Sequence, residues 1–83
     1  NVAGGMNVKE PSADLAVCLA IAASVKGKVL NNTVACGEVG LLGEIKPVTN
    51  LAKRKKEAVK FGFTNMFSYE SATELAILLQ KTV

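Results

Sequence analysis

Residues 10–25, Glu10-Pro11-Ser12-Ala13-Asp14-Leu15-Ala16-Val17-Cys18-Leu19-Ala20-Ile21-Ala22-Ala23-Ser24-Val25, hold the longest uncharged run of the chain, from Leu15 to Val25. Proline is tolerated at the first helical position, where its missing N–H has no intrahelical partner, so Glu10-Pro11 opens a helix. Leu15 to Ala23 is apolar on every side, which predicts a helix buried all round that ends near Lys26-Gly27. The run is too short to cross a bilayer, which needs about 20 apolar residues. It also lacks the position and basic start of a signal peptide. A soluble, cytoplasmic domain with no membrane partner is expected.

Working outward, Val2 to Val8 alternates loosely around Gly4-Gly5, the pattern of a short strand bent by glycines. Downstream, Asn31-Asn32 is a turn signal, and Thr33-Val34-Ala35-Cys36 has the small and β-branched character of a strand. Gly37, Gly40 and Gly43 punctuate the next stretch, and Ile45-Lys46-Pro47-Val48 alternates, predicting a hairpin around Leu41-Leu42-Gly43. This glycine spacing loosely imitates a phosphate loop. The Gly-Lys-Ser/Thr ending is absent and no helical pattern follows Gly43, so the glycines are read as structural turns.

Thr49 or Asn50 can cap a second helix running to about Phe61, with Leu51, Ala58 and Val59 on its inner face and Gly62 as its stop. Phe63 to Phe67 is a further predicted strand. Ser71-Ala72-Thr73-Glu74 then has capping-box spacing ahead of Leu75, Leu78 and Leu79. Strand, helix, strands, helix, strand and helix in that order predict one α/β (α+β) domain over residues 1–83, a small mixed sheet with packed helices.

The chain has 83 residues, 49% of them hydrophobic, enough for one modest core that is only marginally stable by itself. Support from a neighbouring domain or identical subunits is therefore expected. The start at Asn1 without methionine and the end at Val83, straight after a helical pattern, suggest a fragment of a longer chain. No histidine is present, which excludes His-based triads and most zinc sites. Cys18 and Cys36 form no CxxC pair and are expected to be buried reduced thiols; no metal site and no cofactor are expected in this domain. The net charge of +3 is uneven: Lys53, Arg54, Lys55, Lys56 and Lys60 crowd one stretch against the single acid Glu57.

Three segments, Glu10 to Val17, then Gly37-Glu38-Val39-Gly40-Leu41-Leu42-Gly43-Glu44-Ile45-Lys46-Pro47-Val48, then Leu51 through Glu57-Ala58 to Gly62-Phe63, together resemble the C-terminal domain of the RadA (Sms) DNA-repair ATPases. That domain is grouped with the Lon proteolytic domain, so the resemblance implies a Lon-like fold. Active Lon domains carry Pro-Ser-Ala-Gly and Gly-Glu-(x)4-Gly-(x)3-Pro followed by a lysine. Ser12 falls on the nucleophile position, Asp14 replaces the glycine, and the base lysine falls on Arg54. The segment from about residue 64 to 70 is shorter than is usual in these domains.

A serine–lysine dyad needs an amine that can lose its proton near neutral pH, as a desolvated lysine can. A guanidinium stays charged and has no acceptor, so Arg54 can neither take the Ser12 proton nor return it. Lys53 and Lys55 are sequence neighbours, but one helical residue is a turn of about 100°, which points their amines elsewhere. Ser12 and Arg54 are thus vestigial dyad positions, and no catalytic residue is expected.

Cations in the first half of a helix are unfavourable by a few tenths of a kcal/mol each, whereas an anionic partner would favour them. Lys53, Arg54, Lys55, Lys56 and Lys60 are therefore candidate contacts to DNA phosphates, and the resemblance implies DNA as the partner. No interleaved aromatic stripe supports base stacking. The resemblance further implies a homo-hexameric ring, with a RecA-like ATPase domain using ATP and magnesium elsewhere in the same chain. The alternative is a Lon-like ATP-dependent serine peptidase using Ser12 with a displaced lysine such as Lys53 or Lys55. A weaker resemblance, to magnesium-chelatase-like ATPases, rests on the Gly-Glu segment leading to proline.

Overall fold

Pro11–Ala13 forms one 3-10 turn that runs directly into α1, Asp14–Val25, in the computed structural model, which describes residues 10–83. The strand expected over Val2–Val8 lies outside the described residues. The first helix ends where Gly27 adopts a φ of 65°. Lys28 N–H then bonds Ala23 O at 2.8 Å and Gly27 N–H bonds Ser24 O at 3.1 Å, the paired bonds of a Schellman end.

The helix is not buried all round. Leu15, Leu19 and Ala23, four residues apart, are buried, while Val17, Ile21 and Val25 are 47%, 60% and 82% exposed. The described sheets and helices pack against one side only, so an apolar sequence with no polar face still has an outer face.

Four short strands lie among the described residues. β1, Thr33–Ala35, pairs in parallel with β4, Asn65–Phe67, in the register Thr33 to Asn65, Val34 to Met66 and Ala35 to Phe67. Parallel partners need a long crossover, here supplied by β2, Glu38–Val39, β3, Ile45–Lys46, and α2, Leu51–Lys60. β2 and β3 form the expected hairpin as a separate antiparallel pair. Its turn is closed by Gly43 N–H to Gly40 O at 3.0 Å. The α/β expectation therefore holds, and the described residues pair in two two-stranded sheets where one mixed sheet was expected.

α3, Leu75–Thr82, is tied to the hairpin by Ile45 N–H to Thr73 O and Leu75 N–H to Gly43 O, both 2.8 Å. The predicted capping box does not form. Glu74 is extended and bridged to Glu44, and the Ser71 hydroxyl instead accepts from Ser68 N–H at 3.0 Å. Leu15, Leu19, Ile45 and Leu78 make the core, with Leu30, Ala35, Val39, Phe67 and Leu75 packed around it. No helix among the described residues is long and apolar enough to cross a membrane.

Candidate functional site

The start of α1 is laced to the strand beside it. Gly37 N–H donates to Ser12 O at 2.9 Å, Leu15 N–H donates to Gly37 O at 2.9 Å, and Val39 N–H donates to Asp14 Oδ2 at 3.2 Å. Gly37 permits this approach: a Cβ there would lie 3.2 Å from side-chain carbons of both Leu15 and Ile45. The lacing holds Ser12 at 8% exposure.

The second helix brings a cation to that serine. Asn50 precedes it in the left-handed region, with a φ of 59° and no side-chain capping bond, so it sets direction and does not satisfy the helix end. Leu51 and Ala58 face inward as expected, but Val59 is 72% exposed because it lies about 80° round the axis from Leu51. On the inward flank, Arg54 Nε donates to Thr49 O at 3.0 Å and Nη1 reaches Ser12 Oγ at 3.5 Å. The second distance is at the long end of hydrogen bonding. The guanidinium can offer protons to the hydroxyl oxygen but cannot accept one.

The basic run does not act as one cluster. Lys53, Lys56 and Lys60, all exposed, fall within an arc of about 60° on the outer face, with Lys60 Nζ 3.8 Å from Glu57. Lys55 is on the other flank and pairs with Glu70 in the loop after β4. Arg54 is turned inward and partly buried. Three of the five predicted contacts therefore share a face.

Beside the outer stripe runs a groove of about 420 Å³ lined by Val34, Asn50, Lys53, Arg54, Glu57, Ala58, Phe61 and Phe63. The end of α2 explains the aromatic pair. Gly62 has a φ of 88°, Gly62 N–H bonds Val59 O and Phe63 N–H bonds Ala58 O, each at 3.0 Å, a second Schellman end that sets Phe61 and Phe63 on either side of the glycine. They are 76% and 39% exposed. Phe61 and Phe63 are not interleaved with the basic residues in the sequence; the fold brings them beside Lys53 along one groove. Residues 50, 53, 54, 57 and 61 recur at helical intervals, a signal hidden because Phe61 follows the charged run instead of lying within it.

Both cysteines are free, Cys36 buried as expected and Cys18 only half-buried, since Cys18 borders the outer side of α1. Among the described residues no group of three or more Cys, Asp or Glu side chains could hold a metal ion.

No family model matches the chain. It is similar to curated proteins named DNA repair protein RadA. The relative from Aquifex aeolicus is 58% identical over 64 residues, 76% of this chain and 14% of that protein. The Synechocystis relative is 48% identical over 64 residues, 76% of this chain and 13% of that protein. The relative from Streptococcus pyogenes serotype M3 is 45% identical over 73 residues, 87% of this chain and 16% of that protein. The chain thus spans 13–16% of the length of these curated relatives.

Proposed function

We propose that this chain is a non-catalytic, Lon-like scaffold and DNA-interaction domain of a RadA-type, ATP-dependent DNA repair and recombination protein of the cytoplasm. The similarity to proteins named DNA repair protein RadA supports the repair role. One observation carries the non-catalytic part: the side chain reaching Ser12 Oγ is the Arg54 guanidinium, at 3.5 Å. A group that keeps its proton cannot activate a hydroxyl nucleophile. Lys55, which the peptidase alternative could use as its base, is engaged by Glu70.

The scaffold role is a self-associating one, a homo-hexameric ring supporting a RecA-like ATPase domain in the same polypeptide, with ATP and magnesium bound there. The exposed apolar face of α1 favours packing against further protein. Lys53, Lys56 and Lys60 supply a phosphate-facing stripe that binds without reading sequence.

The deciding experiment incubates the full-length protein with an unfolded casein-like substrate and compares it with Ser12→Ala. Equal, background peptide release is expected; serine-dependent release would establish the peptidase reading. Sedimentation of the full-length protein at micromolar concentration tests the ring, which a monomer would refute.

A further inference from the structure

The groove beside the basic stripe is built for something that is both flat and anionic. Its floor is apolar, from Val34 and Ala58, and the two phenyl rings border it. Its rim carries Lys53, Arg54 and Asn50. Interfaces between proteins place aromatics at a core depleted of lysine; here Lys53 borders the same floor. Phe61 and Phe63, 76% and 39% exposed, form an apolar patch rimmed by polar residues, the setting of a ligand groove.

From this we infer that the Phe61–Phe63 groove is a base-stacking subsite for single-stranded DNA. A phenyl face accepts any base, because every base has a π face, and the Lys53 ammonium at the rim suits the phosphate beside the stacked nucleotide. A duplex conceals those faces within its own stack, so the groove takes only an unpaired strand. Glu57 lies at the same rim, where a carboxylate accepts from a base N–H, and Lys60 at 3.8 Å offsets its repulsion of phosphate. Gly62 makes the geometry possible by reversing the chain between the rings. This subsite rests on the DNA-binding reading of the basic stripe and adds to it a selectivity for strand form.

The test measures binding of the full-length protein to a thymidine oligomer of about 20 nucleotides and to a duplex of equal length, at two salt concentrations. Phe61→Ala and Phe61→Leu are expected to weaken single-strand binding about 5- to 100-fold, with the duplex affinity and the salt slope unchanged. Phe61→Trp is expected to keep single-strand affinity and to show fluorescence quenching at position 61 on binding. Because Phe61 is mostly exposed, these variants leave the core intact, and circular dichroism checks that they do. Wild-type single-strand affinity in both the Ala and Leu variants overturns the subsite, as does an equal loss on duplex. Lys53→Glu with Lys56→Glu separates the two readings. These should weaken both DNA forms and flatten the salt slope; if they do not while Phe61→Ala still acts, the stripe reading fails and stacking stands.

Discussion

Arg54 and Ser12, 42 positions apart in the chain, meet at 3.5 Å between Nη1 and Oγ. The contact joins the first turn of α2 to the turn that starts α1, two elements that otherwise share little packing. It also uses a buried hydroxyl that would otherwise be left without a side-chain partner. The guanidinium is anchored a second time at Thr49 O, so its fork is held across the site.

Removing this anchor should cost stability without touching the core. Arg54→Ala is expected to destabilise the protein by about 1–2 kcal/mol, from lost hydrogen bonds and lost stem packing. Urea denaturation of Arg54→Ala, Ser12→Ala and the double variant should give a coupling of about 0.5–1 kcal/mol. Strict additivity would mean that the contact contributes nothing.

The Asp14 carboxylate, in the first turn of α1, receives the Val39 N–H at 3.2 Å. Asp14→Ala should destabilise by about 1–2 kcal/mol by leaving that amide unpaired. Hydrogen exchange read by NMR should show the Val39 amide losing protection first. Uniform loss across the chain would point instead to the lost interaction of an acid with the helix N-terminus.

The two faces of α1 should respond in opposite ways. Leu15→Ala is expected to cost about 2–5 kcal/mol, since Leu15 has no exposed surface and a cavity would remain. Ile21→Ser, at 60% exposure, should change monomer stability by less than about 0.5 kcal/mol. If Ile21→Ser instead lowers self-association in sedimentation, the outer face is the one that packs against another copy.

Gly62→Ala should destabilise by about 1 kcal/mol or more, because a φ of 88° strains any side chain although the space around it is open. The same variant should weaken single-strand binding by displacing Phe61. Thermal melts and oligomer titration on one preparation check both.

Among the lysines, position on the helix should set the salt response. Lys56→Ala is expected to reduce the slope of log affinity against log salt on duplex DNA by up to about 0.9, the value for one phosphate contact. Lys55→Ala should reduce it less, because Glu70 already engages that ammonium. Equal slopes for the two variants would show that the Glu70 pair opens on binding.

Much of the element order was legible because it depends on local chemistry. Pro11 at a helix start, glycines at positions 27 and 62 after helices, and the Gly40 to Gly43 hairpin turn each express a backbone requirement carried by one or two residues. The third helix start was misread at Ser71, since tertiary pairing of Glu74 with Glu44 drew the backbone into an extended form and outweighed a local cap. Periodicity could not assign an outer face to α1 either, because Leu15 to Ala23 has no polar residue to mark one.

What the sequence alone determined is the α/β class and the identity of the charge at position 54, since a guanidinium cannot be deprotonated in any setting a protein provides. What the tertiary structure decided is which residues act together. It set Arg54 against Ser12, withdrew Lys55 to Glu70, and placed Phe61 and Phe63 along a groove with Lys53. The reason is geometric: a helix deals successive side chains to directions about 100° apart, and which direction meets a neighbour, a groove or solvent is set by elements far away in the chain.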